Sequence, residues 1–195
     1  IVPRFFAPVF GVPYLDLFRD AETQYHWLLQ FAKYQIENIP SDVCTGTTLY
    51  VHPYFDNAVP PSAQGAEIGW AEGSPPRALP TIHNLEQMEA FQVAAPNSGL
   101  RGTVIDWWQQ MQAMAAKTRL TFGSVEGHVE VACLGTGGLS AHMLAVDLVG
   151  EPFYWWMLEY PEACHRFLAK ITEGELEAER LVRRIDPRPR GSYGL

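Results

Sequence analysis

Runs of β-branched and aromatic residues alternate with helix-like stretches along this chain, and this alternation is the feature that most restricts its fold. Three short apolar runs are typical of buried strands: residues 4–10, 47–51 and 128–134. A helical pattern follows each of them, so the order is strand, helix, strand, helices, strand, helices. Consecutive strands separated by helices form parallel sheets with helical crossovers. The sequence therefore predicts an α/β fold.

Residues that suit helix termini mark several of the predicted helices. Asp20 and Asn84 are N-cap types, and Pro161 suits the first position of a long helix. Helices are predicted over residues 21–38, 84–91, from about 107 to 119, 139–149, 152–157 and 161–184. Residues 52–65 contain Pro53, Pro60 and Pro61 and are predicted to be irregular. Residues 65–70 are predicted to be extended.

Composition restricts the class of protein further. The chain has 195 residues, 47% of them hydrophobic, and its net charge is −8. The negative charge argues against a nucleic-acid partner, since such proteins usually carry a basic patch. The arginines at 180, 183, 184, 188 and 190 are interpreted as a solvated helix end. No apolar run is long enough to span a membrane, and the three scattered cysteines favour a reducing cytoplasm.

Polar residues follow the predicted strand 47–51, where parallel α/β proteins place their active sites. They are His52, Tyr54, Asp56 and Asn57. An aspartate there could accept hydrogen bonds from the N–H groups of a substrate, or offset a positive charge on the substrate. The alternative is an Asx turn, in which Asp56 hydrogen-bonds backbone two residues further on and closes the loop. The spacing alone leaves both interpretations open.

A glycine-rich turn, Gly135-Thr136-Gly137-Gly138, follows the predicted strand 128–134. It could bind an anion at a helix start, or simply let a helix pack closely on its strand. The dinucleotide fingerprint is incomplete, because Ser140 stands where the third glycine belongs. Ser140 also lies near a nucleophile-elbow pattern, which leaves a serine hydrolase as a minor alternative. His142 on this segment is a second candidate acid, base or ligand.

Three stretches of the sequence resemble the uroporphyrinogen decarboxylase family, which includes corrinoid- and thiol-linked methyltransferases. Residues 56–68 (DNAVPPSAQGAEI) are similar to a family segment in which a proline, a glycine and an acidic residue follow an aspartate. Residues 134–139 (LGTGGL) resemble its glycine-rich strand end. Residues 160–173 resemble its long helix, which begins at a proline, here Pro161, with a histidine, here His165, four residues on.

The resemblance implies a (β/α)8 barrel, of which residues 1–195 would be the N-terminal part, since a complete barrel typically needs about 250 residues. It implies that Asp56 is the acidic residue that contacts the tetrapyrrole in the decarboxylases, and thus the catalytic residue. The implied substrate-binding residues are His52, Tyr54, Asn57, Gly135, Thr136, Gly137, His142 and Met143.

Two departures from the decarboxylases favour a methyltransferase-type member. Residues 7–18 contain no arginine, whereas the decarboxylases pair substrate carboxylates with arginines in this stretch. In the decarboxylases, a tyrosine of the middle helix contacts the substrate. The matching position here falls near His142 or Met143, and neither of these is a tyrosine. The methyltransferase resemblance implies a corrinoid and a zinc ion in a longer parent protein, and no cofactor within this chain. The substrate would be a small molecule, a tetrapyrrole or a corrinoid, with a corrinoid protein as a further partner.

Three alternatives to the methyltransferase stay open at this point. The chain could belong to a porphyrinogen decarboxylase, or it could be a non-catalytic half-barrel. The minor alternative is the serine hydrolase described above. A partial barrel exposes unpaired strand edges, so self-association through those edges is expected.

Overall fold

The computed structural model describes residues 3–40, 46–133 and 140–188. The helices are α1 Pro3–Phe10, α2 Ala21–Asn38, α3 Val59–Ala63, α4 Leu85–Ala90, α5 Leu100–Ala115, α6 Ala141–Val149, α7 Pro152–Glu159 and α8 Pro161–Ile185. Two 3₁₀ turns span Tyr14–Phe18 and Asp56–Ala58. The strands are β1 Thr48–Val51, β2 Glu67–Ala71, β3 Ser74–Leu79, β4 Leu120–Phe122 and β5 Val125–Val131.

The described strands form one three-stranded sheet and one separate hairpin. The sheet has the order β1-β5-β4, in which β1 and β5 are parallel with Val51 opposite Val131. The β4–β5 pair and the β2–β3 pair are both antiparallel. The fold is therefore mixed α/β, and the expected parallel strands are confirmed, with residues 48–51 paired to residues 128–131. The (β/α)8 barrel stays a prediction.

The predicted strand at residues 4–10 is wrong, because this segment is helix α1. Its apolar residues satisfy helical spacing as well as strand spacing, with Ala7 fully buried. Phe6 and Phe10 both pack on the ring of Phe31 in α2, with centroids 5.7 and 5.5 Å apart. Contacts with a neighbouring helix therefore decide the conformation of an apolar run that is ambiguous by itself.

The proline-rich segment 52–65 is more regular than predicted, because it contains a 3₁₀ turn and the short helix α3. Pro60 and Pro61 lie in the first turn of α3, where backbone N–H groups have no intrahelical acceptor and proline costs nothing. The extended segment predicted at 65–70 is confirmed as β2, whose partner β3 includes Pro75 and Pro76.

The remaining helix predictions agree with the structure within two residues, except that α5 begins at Leu100, seven residues before its predicted start. The N-caps are confirmed: Asp20 accepts a hydrogen bond from the Thr23 N–H at 2.7 Å, and Asn84 accepts one from Gln87 at 2.8 Å. Helix α5 ends at Ala115, four residues before the predicted position. Within the described ranges, no helix combines the length and apolar character needed to cross a membrane.

Two large apolar clusters form the core, and α8 contributes to both. The first cluster lies between the three-stranded sheet and helices α2 and α5, and it includes Val182 of α8. The second lies among α4, α6, α7 and α8, and it includes Phe167 and Ile171. A smaller cluster joins α1, the turn Tyr14–Phe18 and α2. Helix α8 therefore ties the sheet half of the fold to the helical half.

A buried ion pair fixes α8 to α5 between these clusters. The Arg101 Nη2 group lies 2.9 Å from both carboxylate oxygens of Glu175, and the Arg101 side chain is only 1% exposed. Gln64, at the end of α3, donates to Glu175 Oε1 at 3.1 Å. Leu100, the first residue of α5, donates its N–H to the Ser62 hydroxyl of α3. Helices α3, α5 and α8 are thus joined by one polar cluster.

We expect Glu175→Gln to destabilise the chain by about 3 kcal/mol, because it leaves the buried Arg101 charge without a counter-charge. The matched control is Glu89→Gln, which removes an exposed ion pair with Arg166 and should cost less than about 1 kcal/mol. Urea unfolding at pH 7 measures both changes. Equal losses for the two variants would contradict a structural role for the buried pair.

Candidate functional site

The carboxyl ends of the parallel strands β1 and β5 lie side by side. Ala132 donates its backbone N–H to the carbonyl of Val51 at 2.9 Å, which aligns the two strand ends. The loop after β1 carries four candidate residues: His52, Tyr54, Asp56 and Asn57. The structure therefore places these residues at the edge of the sheet where parallel α/β proteins bind their ligands.

Asp56 has the one positive φ angle among the described non-glycine residues, at 52°. Its carboxylate accepts two hydrogen bonds from the same loop. The Tyr54 hydroxyl donates to Oδ2 at 2.8 Å, and the Asn57 N–H donates to Oδ1 at 2.9 Å. The second bond is to the next residue along the chain and not to the residue two positions on that an Asx turn uses. A carboxylate accepts about four hydrogen bonds, so both oxygens can accept more.

Gln24 of α2 holds the backbone of this loop. Its amide group donates to the carbonyls of Leu17 and Tyr54, both at 2.9 Å, and its carbonyl accepts the Tyr54 N–H at 2.7 Å. The Gln24 side chain is fully buried. One side chain therefore satisfies three backbone groups on two segments and fixes Tyr54, the residue that donates to Asp56.

Tyr14 adds a second hydroxyl to the site. Tyr14 is only 2% exposed, and its hydroxyl interacts with the hydroxyl of Tyr54. Burial and the negative charge of Asp56 raise the pKa of Tyr14 to about 12. Burial and the hydrogen bond to Asp56 raise the pKa of Tyr54 well above its usual value. Both tyrosines therefore stay neutral at physiological pH, beside one carboxylate.

Residues of the β2–β3 hairpin contact the turn that carries Tyr14 and stabilise it. The Glu72 carboxylate accepts the backbone N–H groups of Tyr14 and Leu15, the second at 3.2 Å. Trp70 of the same hairpin packs on Phe18 with ring centroids 5.1 Å apart. Both ends of the Tyr14–Phe18 turn are thus held in place by neighbouring elements.

His52 is the first residue after β1. Its ring lies 6.4 Å from the ring of Tyr54, measured between centroids. Burial lowers the pKa of His52 to about 4, from an ordinary value of 6.5. His52 is therefore a neutral imidazole at pH 7, which can donate one hydrogen bond and accept another.

The candidate residues after β5 are only partly described. Gly135, Thr136, Gly137 and Gly138 lie outside the described residues. Ser140 caps α6, because its hydroxyl accepts the Met143 N–H at 3.2 Å. The ring of His142 packs against Phe153 and Tyr154 of α7, and Met143 is exposed. The structure thus brings Tyr54, Asp56, Asn57 and His52 together, whereas the ring contacts of His142 are with α7.

The carboxyl end of β5 is fastened by the residues after α8. Asp186 accepts the Cys133 N–H at 3.1 Å, and Arg188 donates to both Asp186 oxygens at 2.6 and 2.7 Å. Arg188 also donates to the carbonyl of Val131. The interpretation of the arginine cluster as a solvated helix end is wrong for Arg188, which hydrogen-bonds Asp186 and the carboxyl end of β5.

Sequence reasoning missed Tyr14 and Gln24 as members of the site. The sequence does indicate that Gln24 is buried, because it lies four residues before Leu28 and seven before Phe31, on the buried side of α2. A polar side chain on the apolar face of a helix needs a buried partner. The tertiary fold brings the hydroxyl of Tyr14 close to Tyr54, and no pattern in the local sequence around Tyr14 predicts this contact.

In the ranges 3–40, 46–133 and 140–188, no group of three His, Cys, Asp or Glu side chains is arranged to hold a metal ion. The described site therefore consists of one carboxylate, two neutral hydroxyls and a neutral imidazole.

Comparison with solved structures identifies one similar fold. A methyltransferase from Methanosarcina mazei matches with a TM-score of 0.56 and 16% sequence identity. The match covers 91% of this chain and 49% of that chain, so this chain spans about half the length of the methyltransferase. At this identity the likeness extends to the fold alone. No family model and no curated protein matches the sequence.

We expect the stability of the chain to fall as the pH is lowered from about 6.5 to about 4, in part because of His52. In this window the unfolded chain protonates His52 and the folded chain does not, so protons favour unfolding. His52→Gln should flatten the pH dependence of the urea midpoint, and the exposed control His165→Gln should not. The same slope in both variants would contradict the burial of a neutral His52.

Proposed function

We propose that this chain is the N-terminal portion of a methyltransferase of the uroporphyrinogen decarboxylase family, built on a single (β/α)8 barrel domain. The proposed reaction is methyl transfer that involves a corrinoid-bound methyl group or a thiol acceptor. Two observations support the proposal. The described fold is similar to that of a methyltransferase about twice as long, and the carboxylate named by the resemblance lies at the carboxyl end of a parallel strand.

The conformation of Asp56 is the observation that carries the proposal. A left-handed backbone costs a residue with a side chain about 1 kcal/mol or more, although Asp tolerates it better than most. Such a conformation persists where the surrounding structure enforces it, and it is concentrated at functional sites. Here Tyr54 and Asn57 hold the carboxylate of Asp56 while both of its oxygens can still accept hydrogen bonds.

The residues of the site suit the charge changes of methyl transfer. A methyl group that moves between nucleophiles carries partial positive charge in the transition state, and a fixed carboxylate stabilises such charge. Asp56 would supply that charge, and His52, Tyr54 and Asn57 would line the pocket beside it. Gly135, Thr136, Gly137, His142 and Met143 are the residues proposed for its other side.

The proposed cofactors would be held largely outside this chain. A corrinoid would supply or accept the methyl group, either free or on a corrinoid protein partner. The described residues do not fit a zinc site, so the zinc that activates the thiol would need ligands elsewhere in a longer parent protein. Among the described strands, β1 lies at one edge of its sheet, and this edge is a proposed self-association surface.

The test measures methyl transfer from a methyl-corrinoid to a thiol by the full-length parent protein. The change in the corrinoid absorption spectrum reports the progress of the reaction. Asp56→Asn should lower the rate by about a hundredfold or more, because it removes charge stabilisation of the transition state without changing side-chain shape. Asp106→Asn, on the exposed face of α5, is the matched control and should leave the rate unchanged.

Unchanged turnover in a folded Asp56→Asn protein would overturn the role of Asp56. Release of CO2 from a porphyrinogen, with no methyl transfer, would replace the proposal by the decarboxylase alternative. A folded parent protein with neither activity would favour the non-catalytic half-barrel.

A further inference from the structure

Helix α7 exposes an apolar face that no other described element covers. Tyr154, Trp155 and Leu158 are 48, 67 and 77% exposed. Leu158 follows the other two at four and three positions, the spacing that places side chains on one side of a helix. Phe153, on the other side of α7, is fully buried and holds the helix to the core. The three exposed residues, named here the α7 face, are therefore available to a partner.

The size and composition of the α7 face are typical of an interaction site. One tryptophan, one tyrosine and one leucine exposed to this degree present roughly 400 Å² of apolar area. The largest apolar patch on a typical monomer has about this size and is often functional. Tryptophan and tyrosine are also enriched among the residues that contribute most to binding between proteins.

Acidic residues surround the α7 face. Glu151 precedes α7, Glu159 is its last residue and Glu162 lies in the first turn of α8, and all three are exposed. Residues 151–162 contain no lysine or arginine. Because charges across an interface are arranged to be complementary, the α7 face suits a partner that combines apolar side chains with positive charge.

The C-terminal part of α8 has both of these properties. Leu176 is 52% exposed. Arg180 and Arg184 are also exposed and follow it at four and eight positions, so the three residues lie on one side of the helix. Arg180 pairs with Glu177 of its own helix, whereas Arg184 forms no ion pair among the described residues. Leu176, Arg180 and Arg184 are named here the α8 basic stripe.

We propose that the α7 face binds the α8 basic stripe of a second copy of this chain, and that the two copies form a two-fold dimer. Helix α8 has 25 residues and is therefore about 37 Å long. Its N-terminal end follows α7 directly, and the basic stripe lies towards its opposite end. When the α8 helices of two copies run antiparallel, each α7 face lies beside the basic stripe of the partner.

The area of the contact favours this reciprocal arrangement over a single contact. Two contacts, each covering an α7 face of roughly 400 Å² and an equal area of the opposing stripe, bury about 1,600 Å², which is the standard size of a specific interface. One contact alone would bury about half of that area, which is typical of weak or adventitious contacts. A two-fold dimer is also closed, so the same contact does not continue into a filament.

This dimer is independent of the candidate site and of the strand edge. The α7 face and the α8 basic stripe include none of the residues placed around Asp56, so the dimer does not depend on the proposed methyl transfer. Association through the edge of β1 would use backbone hydrogen bonds, whereas this contact uses side chains of two helices. Side-chain substitutions on α7 and α8 therefore distinguish the two modes of association.

Sedimentation equilibrium of the 195-residue chain at pH 7, over a range of concentrations, tests the proposal. The unmodified chain should show a monomer–dimer equilibrium. Trp155→Ala should raise the dimer dissociation constant by at least about thirtyfold, because an anchoring tryptophan is lost from both contacts. The matched control Phe5→Ala removes an aromatic ring of similar exposure from α1, and it should leave the dissociation constant unchanged.

Charge reversal tests whether the two surfaces meet each other. Glu159→Arg and Arg184→Glu should each weaken the dimer by about tenfold, since each brings like charges together in both contacts. The double variant Glu159→Arg/Arg184→Glu should restore the dimer, because it exchanges the two charges and keeps them complementary. Both side chains are exposed, so the circular dichroism spectrum should be the same for all of these variants.

A chain that stays monomeric at about 0.1 mM would overturn the proposal, since interfaces of about 1,600 Å² bind at micromolar concentrations or below. A dimer that Trp155→Ala leaves intact would also overturn it and would assign the contact to another surface, such as the edge of β1. A double charge variant that dimerises no more tightly than the single variants would contradict the pairing of the α7 face with the α8 basic stripe.

Discussion

The three hydrogen bonds of the buried Gln24 amide are the interaction on which the candidate site depends. They join the 3₁₀ turn that carries Tyr14 to the loop that carries Tyr54. Neither segment has regular hydrogen bonding of its own at these points, so each unpaired backbone group would cost about 1–3 kcal/mol. A single helical side chain thus sets the distance between the two hydroxyls and the carboxylate of Asp56.

The rest of the fold supports this arrangement from the other side of Asp56. The turn Asp56–Ala58 continues directly into α3, whose Pro60 and Pro61 have fixed φ angles. The far end of α3 is held by the Gln64–Glu175 and Ser62–Leu100 hydrogen bonds. Asp56 therefore lies between two polar anchors, Gln24 before it and the Arg101–Glu175 cluster after it, and its left-handed backbone is enforced from both directions.

The features that could be predicted from the sequence are those that depend on residues close together along the chain. The strands at 47–51 and 128–134, the caps Asp20 and Asn84, and the position of Asp56 after a buried strand were all accessible from the sequence. The apolar run at 4–10 was mispredicted, because only its contacts with Phe31 distinguish helix from strand. The pairing of Tyr14 with Tyr54 spans 40 positions of the chain, and long-range contacts of that kind leave no periodic pattern.

Hydrogen exchange of the Tyr54 amide in the variant Gln24→Leu tests the central claim most directly. If Gln24 holds the loop, this amide loses its acceptor, and its exchange should be faster by about tenfold or more than in the unmodified chain. The amide of Val51, within β1, should exchange as before, and the exposed variant Gln109→Leu should change neither amide. Unchanged protection of Tyr54 in a folded Gln24→Leu chain would contradict the account.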